Sequence, residues 1–162
     1  MNEFLQELGT DCTRLAIASL LGGAIGLERQ LHGQWAGIRT HMMVSLGAAI
    51  FIIAAITTSP DDSNDVTRVI QGIAAGIGFL GAGAILKLST EGKVKGLTTA
   101  SSIWLAAALG TVAGMGEYAL ATSSGLMSVL VLAILRPLTK SVGKSSMEHK
   151  GTSGDHETIQ SL

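Results

Sequence analysis

The sequence predicts an all-α membrane protein whose chain crosses the bilayer five times. Of its 162 residues, 47% are hydrophobic and only 14% are charged, whereas about a quarter of the residues in an ordinary soluble domain are charged. The charges are separated by five long uncharged intervals, each close to the roughly 20 residues that a bilayer-spanning helix needs. Backbone that faces lipid must satisfy its own hydrogen bonds, so these intervals favour helices.

The five predicted helices cover residues 11–28, 41–59, 67–87, 97–115 and 118–137. The first uncharged interval, which ends at Glu28, is the shortest, and it reaches a spanning length only if the turn from Asp11 to Arg14 belongs to the helix. The other four intervals are long enough by themselves. We therefore predict a transmembrane domain over 1–138, followed by a polar, disordered tail over 139–162.

A glycine-rich stretch in the third helix has two interpretations. Gly76 to Gly81 fits the pattern G-x-G-x-x-G, but a dinucleotide-binding turn follows a strand and opens a helix. Here the glycines lie inside a membrane-length apolar run, where small residues allow helix backbones to approach closely. The glycines predicted to serve helix packing are Gly22, Gly26, Gly72, Gly76, Gly78, Gly81, Gly83, Gly110 and Gly114.

The glycines of the third helix fall on two faces. At 100° per residue, Gly72, Gly76 and Gly83 share one face, and Gly78 with Gly81 lie on another. A helix with two smooth sides packs closely against two neighbours. We therefore predict that the third helix is central in the bundle.

The basic residues predict the orientation. One side of the five-helix arrangement has Arg29, Arg39, Lys87, Lys93, Lys95, Arg136, Lys140, Lys144 and Lys150, and the other side has only Arg14 and Arg68. Lysine and arginine accumulate in cytoplasmic loops. The N-terminus is therefore predicted to lie outside and the C-terminus inside.

The chain also contains an internal repeat. A shift of 59 residues places helices 1 and 2 on helices 3 and 4, with turn matches Gly33/Gly92, Gly37/Gly96 and Thr40/Thr99. Both copies enter the membrane from the same side, so the expected arrangement is a 2+2 parallel repeat plus a fifth helix. Some transporters are built from parallel repeats, which is an analogy of architecture only.

Polar residues concentrate where helices 2 and 4 begin on the predicted cytoplasmic side. The candidate ligand or gate residues there are Glu28, Arg29, Arg39, Thr40, His41, Thr98 and Thr99. A threonine can cap exposed N–H groups, and a helix N-terminus attracts a carboxylate or an anion. Our hypothesis is that Glu28 and Arg39 form a partly buried ion pair. The pair is either part of a ligand or proton site, or a staple that only holds helices 1, 2 and 4 together.

On the predicted outer side, Arg68 and Gln71 are candidates for polar contacts between helices. Asp61, Asp62 and Asp65 could hold a hydrated divalent cation weakly, although such a run is more often a solvated turn. No nucleophile–base pair, phosphate loop or zinc motif is present, so we expect neither an enzyme nor a cofactor. We also expect no nucleic-acid partner, because basic and aromatic residues do not alternate.

As a set, the motifs resemble the MgtC/SapB family of bacterial inner-membrane proteins. They are Gly26-Leu27-Glu28-Arg29, Ala36-Gly37-Ile38-Arg39-Thr40-His41, Arg68 followed by Gly76-Ile77-Gly78-Phe79-Leu80-Gly81-Ala82-Gly83, and Gly96-Leu97-Thr98-Thr99-Ala100 with Trp104. The resemblance covers about residues 12–137 and implies a multi-pass inner-membrane protein linked to growth in low magnesium. It assigns the charged motif positions to Glu28, Arg29, Arg39, His41 and Arg68. Many members continue into a soluble C-terminal domain, and this chain has a short polar tail there, so the resemblance concerns the membrane module.

Two functions remain open at the level of sequence. One is a regulator that contacts other membrane transport machinery through its small-residue helix faces. The other is a small transporter or conduit for magnesium, phosphate or protons, with a cytoplasmic Glu/Arg gate. The glycine-rich faces exceed what one five-helix bundle needs, so we also expect a homodimer.

Overall fold

The computed structural model describes the backbone of residues 1–59, 63–87 and 95–151, and the side chains of residues 1–59, 64–85 and 95–134. These residues form five helices: α1 (Asn2–Leu31), α2 (Ile38–Thr58), α3 (Ser63–Lys87), α4 (Leu97–Gly114) and α5 (Tyr118–Gly151). The described part of the chain contains no strand. The prediction of an all-α protein with five helices is therefore confirmed.

Among the described residues, three segments are long and apolar enough to cross a membrane: Ile38–Thr58, Asn64–Ile85 and Leu97–Gly114. In α5 the residues with described side chains are apolar over Tyr118–Ile134. The number of crossings, the orientation and the repeat remain predictions. Among α1 to α4, the helix pairs that touch are α1 with α2 and α4, α2 with α3 and α4, and α3 with α4.

Helix boundaries differ from the predictions mainly at polar ends. α1 begins nine residues before the predicted start at 11, and α3 also begins early. Glu3 and Asp65 lie in the respective first turns, where a carboxylate is favourable next to the positive end of the helix dipole. α5 continues to Gly151, into the segment that composition predicts to be a disordered tail.

The core lies between α1, α2 and α4. Glycines at these contacts leave no room for a side chain: a Cβ on Gly110 would overlap the Ser45 backbone, and one on Gly26 would lie 2.5 Å from the Ile38 Cα. Gly22 meets α2 beside His41, and Gly114 meets it beside Ala49. At these four positions a glycine lies directly against a neighbouring helix.

Within α1 to α4, the prediction that α3 is central is wrong. α3 touches only α2 and α4, whereas α2 and α4 each touch the other three helices. A Cβ on any of four α3 glycines would meet nothing within 4 Å, and one on Gly81 would only touch Ala100: the four are Gly72, Gly76, Gly78 and Gly83. Gly110 and Gly114 of α4 instead lie closely against α2.

The start of α5 also packs against this core. Ala121 is buried in an apolar cluster with Ala18, Ala49 and Ala113, and a Cβ on Gly125 would contact Leu21. This first compact unit ends at Val129, and a second unit begins at Leu130. The start of α5 thus contacts α1, whereas most residues of Asn64–Ile85 on α3 are exposed.

Candidate functional site

Polar side chains gather where α1 ends and where α2 and α4 begin, and most of them are buried. We call this group the polar cluster; its members are Glu28, Arg29, His32, Gln34, His41, Thr99 and Ser102. It has two parts, an ion pair on α1 and a hydrogen-bonded contact between α2 and α4.

The ion pair consists of sequence neighbours. Glu28 is 7% exposed and Arg29 is 4% exposed, and Arg29 Nε donates to Glu28 Oε2 over 2.6 Å. Two charges that are removed from water together are tolerated because each neutralises the other. The pair therefore places a compact, nearly neutral ionic group inside the bundle.

The second carboxylate oxygen of Glu28 is less well satisfied. Glu28 Oε1 is buried and accepts no hydrogen bond, although His32 Nδ1 lies 2.9 Å away. That nitrogen is closer to the backbone oxygen of Glu28, at 2.6 Å, so its hydrogen bond goes to the backbone. A protonated His32 would still add an attractive charge contact to the carboxylate.

His41 connects the first turn of α2 to α4. Its side chain is completely buried, with Nδ1 2.9 Å from the Gly37 carbonyl oxygen and Nε2 3.0 Å from Ser102 Oγ. A carbonyl oxygen only accepts, so Nδ1 must carry a hydrogen. This geometry fixes the tautomer of the neutral ring.

Ser102 can serve His41 in either protonation state. Its hydroxyl lies 2.8 Å from the Thr99 carbonyl oxygen as well as 3.0 Å from His41 Nε2. The hydroxyl donates to Nε2 when the ring is neutral, and it accepts from Nε2 and donates to the carbonyl when the ring is protonated. The contact between α2 and α4 can therefore take up or release a proton without losing its hydrogen bonds.

Two glutamines that sequence reasoning missed bind the starts of α2 and α4: Gln30 in the last turn of α1 and Gln34 in the connection that follows. Gln30 Oε1 accepts the backbone N–H of Ile38 over 3.2 Å, and Gln34 Oε1 accepts from Thr99 Oγ1 over 3.4 Å. Neither α2 nor α4 is capped by its own N-cap side chain. The prediction of threonine caps is therefore wrong. No local signal marks the cap from Gln30, because this residue lies 8 positions before Ile38 and reaches it only through the path of the chain between α1 and α2.

The structure brings together some of the predicted site residues and separates others. Glu28, Arg29, His41 and Thr99 belong to the polar cluster, whereas three side chains at the starts of α2 and α4 are exposed: Arg39, Thr40 and Thr98. The hypothesis of a Glu28–Arg39 ion pair is wrong, because Glu28 pairs with Arg29 and His32 instead. Arg39 points out of the first turn of α2 and does not reach the carboxylate.

The candidate residues at the other end of α3 remain outside the core. Arg68 and Gln71 are exposed, and neither makes a polar contact with another described residue. Asp61 and Asp62 lie outside the described residues. Within residues 1–59, 64–85 and 95–134, no three His, Cys, Asp or Glu side chains come close enough to hold a metal ion.

Comparison with known proteins gives a consistent result. The sequence model of the MgtC family matches residues 15–141. The chain is 42% identical over 137 residues to Protein SrpB of Synechococcus elongatus, covering 78% of this chain and 75% of that protein. It is 39% identical over 132 residues to the Escherichia coli (strain K12) protein named "Putative magnesium transporter YhiD", covering 78% and 60%.

A third relative is Protein MgtC of Salmonella typhimurium (strain LT2), which is 38% identical over 138 residues, or 85% of this chain. The chain spans only 57% of that relative and 60% of the Escherichia coli protein. No solved structure matches the chain.

Proposed function

The chain belongs to the MgtC family, and on this premise we propose that it is a multi-pass protein of the bacterial inner membrane that acts in magnesium homeostasis by regulating other membrane transport machinery through helix contacts. A name given to one relative connects that protein with magnesium transport. The family relationship supports the general role, and the surface of the helices supports the mechanism.

The observation that carries the mechanism is the uncovered glycine face of α3. Gly72 and Gly76 are exposed within the apolar segment Asn64–Ile85, and Cβ atoms there would meet nothing within 4 Å. Each glycine inside a helix lowers the stability of that helix by about 1 kcal/mol relative to alanine. At Gly72 and Gly76, no packing contact within this chain compensates for that loss. Such a face lets a helix of another membrane protein approach the α3 backbone closely.

A groove beside this face gives the approaching helix a defined seat. It has a volume of about 540 Å³ between α2 and α3. Its lining is apolar and includes Met43, Gly47, Phe51, Gly72, Gly76 and Leu80. Apolar side chains of a partner helix would fill it without placing a polar group in hydrocarbon.

The test is to fill the groove without disturbing the core. The double variant Gly72→Leu/Gly76→Leu should fold normally, because both positions open onto free space, but it should fail to support growth of a deletion strain at low magnesium. The matched control is Ala24→Leu, which adds the same side chain at an exposed position on α1 and should grow like the wild type. Equal growth of the double variant and the control, at equal protein levels, would contradict the regulatory mechanism.

The polar cluster favours the alternative, a small ion conduit with a gate at the Glu28 end. Glu28 Oε1 is buried without a hydrogen bond, and His41 is fully hydrogen-bonded in both protonation states. Such groups are typical of proton or ion pathways in membrane proteins. Flux of protons, phosphate or magnesium into liposomes that contain only this protein, above the flux into empty liposomes, would establish the conduit in place of the regulator.

A further inference from the structure

We infer that α3 pairs with α3 of a second copy of this chain, along a seam formed by Gln71, Ala75, Gly78, Ala82 and Ile85. This inference goes beyond the regulatory role, since it uses a different face of α3 from Gly72 and Gly76. It rests on the membrane placement proposed above and does not depend on a regulated partner.

The seam residues follow one another at intervals of four, three, four and three residues. This spacing keeps a single stripe in contact when two parallel helices wind around each other with a left-handed twist. Gln71, Ala75, Gly78 and Ala82 are exposed, and a Cβ on Gly78 would meet nothing within 4 Å. The stripe is therefore accessible, and its small residues permit close approach of a second helix.

Part of the seam is also one wall of a groove between α3 and α4. This groove has a volume of about 430 Å³, and its lining includes Gly78, Ala82 and Ile85 on α3 and Ala100, Ser101 and Trp104 on α4. The two helices are held together at its base, where Gly81 packs against Ala100.

The equivalent groove in the first half of the chain is filled by a helix. The 59-residue shift maps Gly81 and Ala100 onto Gly22 and His41. Gly22 lies against the His41 backbone, whereas Gly81 touches only the Ala100 side chain. In the first half α4 also binds at this position, with Ser102 bonded to His41, whereas the groove between α3 and α4 is open.

Gln71 indicates that the occupant is a second copy. Its amide is exposed within the span Asn64–Ile85 and has no polar partner among the described residues. A primary amide both donates and accepts, so two Gln71 side chains related by a two-fold axis can satisfy each other. A lipid acyl chain lying along the seam would leave the amide unpaired.

Cysteine crosslinking in native membranes tests the seam. In a Cys12→Ser background, which removes the only cysteine, Ala75→Cys and Ala82→Cys should each give a disulfide-linked dimer, since seam positions approach within disulfide range. Leu80→Cys, an exposed position on the opposite side of α3, is the control and should remain monomeric. Equal crosslinking at Leu80, or none at the two seam positions, would overturn the inference.

The amide contact is tested by measuring the dissociation constant of the dimer in lipid. Gln71→Leu should weaken the dimer about three- to thirty-fold, as expected for loss of one hydrogen bond between membrane helices, whereas Gln71→Asn should retain part of the contact. An unchanged or tighter dimer of the Gln71→Leu variant would overturn the inference. Absence of any crosslinked dimer, with growth at low magnesium lost in Gly72→Leu/Gly76→Leu, would remove the dimer alone. A crosslinked dimer with normal growth of Gly72→Leu/Gly76→Leu would remove the regulatory mechanism alone.

Discussion

Glu28 and Arg29 are adjacent in the sequence, and their side chains nevertheless form the buried ion pair of the bundle. Neighbouring residues of a helix point about 100° apart, so spacing rules lead one to look three or four residues away for a partner. Those rules suggest His32, which lies near Glu28, but they do not suggest Arg29. The presence of a buried carboxylate was predictable from its position next to an apolar interval, whereas its main partner depends on packing that only the structure shows.

The first prediction concerns this ion pair. Glu28→Gln should lower the free energy of unfolding by about 3 kcal/mol, because Arg29 keeps its charge in a buried place without a counter-ion. Thermal or denaturant unfolding in mild detergent measures the change. The control is Arg39→Gln, an exposed arginine whose replacement should change stability by less than about 0.5 kcal/mol. If Arg39→Gln were as destabilising as Glu28→Gln, the Glu28–Arg39 pairing rejected above would have to be reconsidered.

The second prediction separates two adjacent serines of α4. Ser102→Ala should lower the free energy of unfolding by about 1–2 kcal/mol, since it leaves the buried His41 without its partner on α4. Ser101 is exposed and bonds only to the Leu97 carbonyl oxygen of its own helix, so Ser101→Ala should stay within about 0.5 kcal/mol of the wild type. Comparable melting temperatures for the two variants would show that the His41–Ser102 contact does not stabilise the α2–α4 interface.

At the scale of elements, the glycines explain which helices cross closely. The sequence predicts that glycine-rich faces pack, but periodicity does not say which neighbour each face meets. In the structure Gly110 and Gly114 of α4 lie against α2, and α3 is displaced to the side. Tertiary packing therefore decides between several glycine-rich faces, and α2 and α4 become the two helices that each touch the other three of α1 to α4.

The third prediction compares two glycine-to-alanine changes. Gly110→Ala should destabilise the fold by about 1–3 kcal/mol, because the added methyl group overlaps the Ser45 backbone and forces α2 and α4 apart. Gly72→Ala adds a methyl group in open space, so it should leave stability unchanged or raise it by up to about 1 kcal/mol through helix propensity. Unfolding curves of the two purified variants in the same detergent provide the comparison. A tolerated Gly110→Ala would contradict the close α2–α4 crossing.

At the scale of the whole molecule, composition and charge spacing were sufficient to predict five helices and the approximate position of each. They also located Glu28, Arg29, His41 and Thr99 as a group near the ends of three helices. Gln30 and Gln34 could not be recognised, because their roles depend on the path of the α1–α2 connection. The family relationship then supports a magnesium-related membrane role, and the uncovered faces of α3 suggest how such a chain contacts others.

The most direct test of the account is the sidedness of the helix ends in the native membrane. Single cysteines at Arg39, Lys95, Asn64 and Glu117, in the Cys12→Ser background, would be labelled with a reagent that does not cross the membrane. We predict that Asn64→Cys and Glu117→Cys react in intact spheroplasts, whereas Arg39→Cys and Lys95→Cys react only after the membrane is opened. Labelling of all four positions from the same side would contradict the membrane-spanning arrangement on which the proposed function depends.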